Sequence, residues 1–213
     1  MVWRNIPGLY FKRFDKPFNV VDIQNNGHSL IITPLSNTTI QAISGKKEQF
    51  FPFLMDFLGA MLPSSYNIEQ LHFHWGNHSD TGSEHTIDNK RYPLEMHLVH
   101  YNSKYKSVAE AVEDDERNGL AVISVLFEIS RKDNEYFEPI MQKAKAVRGT
   151  DAEVVSRVGL GGVSLADLLP KTAAKSFFSY EGSLTTPPCA EVVTWMVLKE
   201  KGTISERQIQ AFR

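Results

Sequence analysis

Gln70-Leu71-His72-Phe73-His74-Trp75-Gly76 is the stretch on which the reading of this chain turns. Polar Gln70, His72 and His74 alternate with apolar Leu71, Phe73 and Trp75, which is the period-2 pattern of a β-strand. Successive side chains of a strand leave opposite faces, so one face packs while the other presents two imidazoles side by side. Neutral imidazole is a good zinc ligand, and two of them at i and i+2 on a rigid strand reach one ion with little further ordering. Taken alone, the same pattern also fits a half-buried strand with solvent-facing histidines.

The residues beyond Gly76 add to that face. A polar loop (77–82) and a short segment (84–87) lead to a second predicted strand, Leu94 to Tyr101. There Glu95, His97, Val99 and Tyr101 share one face and Met96, Leu98 and His100 the other. Pairing the two strands antiparallel sets His97 beside His72 and His74. Three histidines leave one tetrahedral position of a zinc ion open to water, which is the arrangement of a catalytic site; structural sites are closed by four protein ligands. Gln70 and Glu95 each stand two residues before a proposed ligand, on the same face, where they can accept the second ring N–H of His72 and His97. His-x-His also begins cupin-type metal sites, but those want a glutamate a few residues later, and Asn77, His78 and Ser79 stand there instead.

The whole chain is consistent with one such domain. It has 213 residues, 42% apolar and 23% charged, with a formal net charge of −2. That balance suits one ordinary globular domain and argues against nucleic acid or an anionic membrane as partner. No stretch has the apolar length of a membrane span, and Met1-Val2-Trp3-Arg4-Asn5 lacks the basic and apolar character of a signal peptide. Further strands are predicted at Val20 to Ile23, His28 to Ile32, Thr39 to Ala42, Ala121 to Ile129, Lys175 to Tyr180 and Val192 to Leu198. Short helices start near Ser107, Asp133, Ser164 and Ser205, the last with a Ser205/Gln208 capping box. The predicted class is α+β: a single domain on a large, mainly antiparallel twisted β-sheet with short peripheral helices.

Gln70-Leu-His-Phe-His-Trp-Gly76, Gly82-Ser-Glu-His-Thr-Ile-Asp88, Glu95-Met-His-Leu-Val-His100 and Gly182-Ser-Leu-Thr-Thr-Pro-Pro188 resemble the signature segments of the α-class carbonic anhydrases. The resemblance runs in order from about Asn25 to Phe212 and implies zinc-dependent, reversible hydration of carbon dioxide to bicarbonate and a proton. It implies His72, His74 and His97 as zinc ligands, with Gln70 and Glu95 behind them. Thr185 would orient the attacking hydroxide and pass its own proton to Glu84, while its backbone N–H meets a substrate oxygen or an inhibiting anion. Val99, Val122, Leu184, Val193 and Trp195, with Thr186, would form the pocket for carbon dioxide. His28, in Asn26-Gly27-His28, would be the proton shuttle, and His85 and His100 buried structural histidines. Sulfonamides and small anions are the inhibitors this implies.

The chain also departs from the family. Its N-terminal aromatic segment and everything after the Ser205 helix are missing, so residues 1–213 are read as a partial α-carbonic anhydrase domain. Cys189, the single cysteine, directly follows Thr185-Thr186-Pro187-Pro188; in extracellular members a cysteine here pairs with one near the N-terminus. The parent protein is therefore expected to be secreted or on the extracellular face of a membrane, with the cytoplasm as the alternative; membrane attachment itself is not legible. Residues 46–58, rich in phenylalanine, are an atypical insertion and read as a translated, retained intron, which the mature transcript decides. The same departures leave two other functions open: a non-catalytic carbonic-anhydrase-like binding domain, or an inert truncated product.

Overall fold

Three long strands, β5 (Ser65–Trp75), β6 (Leu94–Asn102) and β7 (Leu120–Ser130), lie antiparallel side by side and carry the sequence-defining stretch at their centre. These belong to a computed structural model that describes residues 8–25, 29–35, 41–44, 62–147 and 154–213. His28, with Asn26 and Gly27 before it, and the atypical segment 46–58 lie outside the described residues.

The remaining strands are β1 (Leu9–Lys12), β2 (Val21–Asn25), β3 (Leu30–Pro34), β4 (Gln41–Ser44), β8 (Val154–Val158), β9 (Phe177–Gly182), β10 (Val193–Leu198) and β11 (Gly202–Ser205). All join one mixed, 11-stranded sheet whose main order is β8-β2-β3-β5-β6-β7-β10-β9. The free edge of β5 is shared, with β3 opposite Leu71 to Phe73 and β4 opposite Ser65 to Asn67. The far edge of β7 is shared likewise by β10 and β11, both parallel to it. So the backbone at His72 and His97 is paired on both sides.

Register then sorts side chains into rows across the sheet. Leu71, Leu98, Ile123 and Met196 form one row, and Phe73, Met96 and Val125 another. All seven are fully buried in the main core. The intervening rows face the other way: Gln70, Val99, Val122 and Trp195; His72, His97, Ser124 and Val197; His74, Glu95 and Leu126. Helix α2 (Glu138–Ala146) and its N-cap Phe137 cover the first face with Phe137, Ile140, Met141 and Ala144, all buried, as the apolar side of a surface helix is. The Phe212 ring completes that cover, 5.2 Å from both Phe73 and Trp75.

The helices start where their caps place them. Ser107 accepts from the Glu110 N–H ahead of α1 (Val108–Glu113). Ser164 and Asp167 form a capping box on α3 (Leu165–Leu168), as Ser205 and Gln208 do on α4 (Glu206–Ile209). The predicted start at Asp133 shifts: a single 3-10 turn, Glu135–Phe137, precedes α2, because Pro139 in the first turn has no N–H to extend the helix backward. Segment 84–87 is not a strand; one isolated bridge, Ile87 to Lys90, is what pairing it makes.

His100 is wholly buried on the core side, its Nδ1–H donating to the Leu98 carbonyl at 2.9 Å and its ring stacked 5.9 Å from Phe14. Burial holds its pKa down at about 4, below the ordinary 6.5. The unfolded chain therefore binds a proton that the folded chain refuses, so this contribution to stability is complete above pH 6.5 and is lost as pH falls toward 4. In metal-free protein, urea unfolding at pH 7.5 and pH 5 is expected to show a drop about 2 kcal/mol smaller for His100→Gln than for wild type. Equal drops in the two proteins would contradict a buried neutral imidazole.

Candidate metal centre

The site begins at Gly82. A Cβ there would lie 1.9 Å from the Pro93 carbonyl oxygen, so only glycine lets the two chains pass this closely. Close passage allows Ser83 to pin the loop: its N–H donates to the Tyr92 carbonyl at 2.8 Å, and its hydroxyl accepts the Tyr92 N–H and donates to the His85 carbonyl. Pinned this way, the backbone N–H groups of Glu84 and His85 both point at Glu95 Oε2, each at 2.8 Å.

Glu95 has no solvent exposure, and its other oxygen is equally engaged. Oε1 accepts from His97 Nε2 at 2.6 Å, from Ser124 Oγ at 2.7 Å and from His85 Nδ1. Burial pushes the Glu95 carboxyl up, but the bonds from His85 and His97 outweigh it and hold the group well below the usual carboxylate range. An ionised Glu95 accepts only, so His97 carries its proton on Nε2 and turns a bare Nδ1 toward the other histidines. On His72 the assignment is reversed. Its Nδ1 donates to Gln70 Oε1 at 2.9 Å, which leaves Nε2 bare.

The three imidazoles converge, with ring centroids 4.7–5.1 Å apart and one nitrogen of each within 4.8 Å of the others. Bare His72 Nε2 and His97 Nδ1 stand 3.2 Å apart. Two lone pairs at that distance repel unless a cation sits between them, and nitrogens bound to one tetrahedral zinc are about 3.3 Å apart. The buried Nε2 of His74 has no hydrogen-bond partner. Burial lowers the pKa of all three histidines, so they are neutral donors near neutral pH. For His72 the neighbouring His97 and His74 add to the effect. Nothing about this donor set fails a zinc ion: it is neutral, nitrogen-only, three in number and pre-oriented.

Beside the histidines opens a cavity of about 460 Å³ whose wall includes Val99, Val122, Leu184 and Trp195, with Thr185 and Thr186 at one side. Val193 does not reach this wall; it packs behind, in the buried cluster with Val99, Val122 and Trp195. The Leu184 to Ala190 loop is closed by the Leu184 N–H to Ala190 carbonyl bond and anchored by Trp195 Nε1 donating to the Ser183 carbonyl. Glu84 Oε2 lies 3.4 Å from His74 Nε2 and 3.9 Å from His97 Nδ1. Among the described residues no hydrogen bond joins Thr185 to Glu84.

A family model for eukaryotic-type carbonic anhydrase matches residues 2–213. The chain belongs to the eukaryotic-type carbonic anhydrase family. It is 38% identical to human carbonic anhydrase 3 over 157 residues, 73% of this chain and 56% of the relative. With the putative carbonic anhydrase 3 of Caenorhabditis elegans it shares 35% identity over 208 residues, 97% of this chain and 71% of the relative. Mouse carbonic anhydrase 7 matches at 36% over 197 residues, 91% and 65% respectively. The chain thus spans about half to seven-tenths of the length of these carbonic anhydrases.

Sequence reading missed the outer part of the centre. His85, half-buried rather than fully so, links Glu95 to the Tyr180 hydroxyl, which donates to His85 Nε2 at 2.6 Å. Ser124 sits opposite His97 on β7, and its alternation within an apolar run, Ile123-Ser124-Val125, was the available signal. Zinc titration of metal-free protein by calorimetry is expected to show one tight site, lost in His97→Ala and untouched in His78→Ala. Glu95→Gln is expected to weaken it about 10- to 100-fold, the usual cost of losing an outer partner. Tight binding that survives in His97→Ala would remove this assignment.

Proposed function

We propose that this carbonic anhydrase family chain holds one zinc ion on His72, His74 and His97 and catalyses reversible hydration of carbon dioxide to bicarbonate and a proton. The observation that carries the reading is the convergence of three neutral imidazoles, one with a buried nitrogen that makes no hydrogen bond, beside an apolar-walled cavity. Bound zinc would supply Lewis acidity that lowers the pKa of a coordinated water, a property for which carbonic anhydrase is itself the standard example.

The protein's own groups do the remaining work in this reading. Gln70 and Glu95 retain the outer ring protons of His72 and His97, so the inner nitrogens stay available as donors. Val99, Val122, Leu184 and Trp195 receive a neutral, nonpolar substrate by desolvated contact, with Val193 supporting them from behind. Thr185 orients the attacking oxygen by accepting its proton in a hydrogen bond and donating its own to Glu84, a relay that forms when its hydroxyl turns toward that carboxylate. The Thr185 backbone N–H meets a substrate oxygen or an inhibiting anion, with Thr186 beside it, and His28 exports the product proton. Sulfonamides and small anions are the expected inhibitors, and residues 1–213 act as one domain with 46–58 inserted in it.

A secreted or cell-surface parent is supported by Cys189, whose thiol is exposed just after Pro187-Pro188. Among the described residues no helix is long and apolar enough to cross a membrane. A Cys189 thiol that titrates freely in protein from its native source would favour the cytoplasm.

Stopped-flow carbon dioxide hydration by the zinc-loaded chain is expected to exceed buffer and to be blocked by a sulfonamide. Thr185→Ala is expected to lower the rate on the order of 100-fold, the scale of a misoriented reactant. A zinc-loaded protein no faster than buffer would support a non-catalytic binding domain instead.

A further inference from the structure

Glu69 should not be in the cavity at all. Strict alternation along β5 would put it on the face of Leu71 and Phe73, inside the core. The β5–β6 register instead shifts between Ile68 and Gln70, leaving Glu69 without a partner across the ladder. A bulge of this kind turns a side chain from one face toward the other, and Glu69 lines the cavity together with Gln70 and His72.

Its position is electrostatically conspicuous. Among the described residues lining the cavity Glu69 is the one carboxylate, and no lysine or arginine stands with it. Among the described residues its carboxylate has no hydrogen-bond or ion-pair partner. It is half-buried, and burial raises its pKa, as expected for a carboxylate short of solvent and of partners. Much of the opposite wall is aliphatic or aromatic, including Val99, Val122, Leu184 and Trp195, so little there screens its charge.

We propose that Glu69 is a charge filter for this cavity: it disfavours anionic ligands and favours small molecules that carry an ammonium group. The inference rests on the reading of the three histidines as a zinc site, because zinc by itself draws anions and Glu69 opposes that preference for whatever extends along the wall. Three residues of strand separate the Glu69 and His72 backbone positions by roughly 10 Å. That is about one Debye length at physiological salt, close enough for the carboxylate's field to act within the cavity.

The test uses the zinc-loaded full chain and two para-substituted benzenesulfonamides that differ only in the tail, quaternary ammonium in one and carboxylate in the other. Calorimetry gives the ratio of their Kd values. Wild type is expected to favour the ammonium probe, Glu69→Gln to shift the ratio toward the carboxylate probe about three- to ten-fold, and Glu69→Lys to shift it further in the same direction. Because Gln is isosteric with Glu and the side chain is half-exposed, both variants report on charge, with zinc content confirming an intact site. A ratio identical in wild type and both variants overturns the filter while leaving the zinc site standing. Failure of both probes to bind in a zinc-dependent way overturns the zinc reading and the filter with it.

Discussion

A carboxylate sealed from water is the constraint on which the rest of this structure depends. Glu95 has lost all its hydration, and an unpaired charge in that position would cost several kcal/mol. It is tolerated because five donors surround it: two backbone N–H groups, two imidazoles and one hydroxyl. Each donor comes from a place that must be correct for the bond to form. The Gly82 to His85 loop, β6 and β7 are therefore tied to one point, and Tyr180 on β9 joins through His85. Removing the carboxylate would leave the donors facing each other, so the network is worth more intact than its separate bonds suggest.

The same network settles a chemical question at His97. An imidazole has two nitrogens, and which one is bare depends on what the other donates to. Here the partner is ionised, acceptor-only and immobile, so Nδ1 is directed inward without any contribution from a ligand. Gln70 performs the corresponding task on His72 with a neutral oxygen, at lower electrostatic cost. The two bare nitrogens, 3.2 Å apart, are thus aimed at one point by the hydrogen bonds behind them. Leu71 and Phe73, on the opposite face of the same strand, fix that strand in place, each fully buried and each contributing about 1.5–3 kcal/mol.

Much of this was legible in the sequence because strand geometry is so regular. Alternation in Gln70 to Trp75 and in Leu94 to Tyr101 is enough to assign faces, and the register found, His72 opposite His97, follows from pairing those faces. Caps at Ser107, Ser164 and Ser205 are local chemistry, and they too could be read. The features that could not be read depend on distant partners. Strand β1 and strand β11 are four residues each, too short for a period to show, and β8 gains its strand identity only by pairing with β2 from a remote part of the chain. Ser124 looks like an interruption in an apolar run until Glu95 is placed beside it. Val193 has the right face but is screened from the cavity by its neighbours, a matter of packing depth that alternation does not encode.

The bulge at Ile68 to Gln70 shows where regularity itself becomes misleading. A pattern of period 2 assigns Glu69 to the core, and a carboxylate there would need a second set of donors like those around Glu95. Among the described residues, Leu71, Leu98 and Ile123 pack on that face, and the buried His100 there already donates its Nδ1–H to the Leu98 carbonyl. Inserting one unpaired residue is the less costly solution: the ladder loses a pairing position, and the charge reaches the half-open cavity. Glu69 and Glu95 thus obey one physical rule by different routes. Glu95 is satisfied by donors brought to it, and Glu69 is satisfied by turning the backbone so that it keeps part of its water.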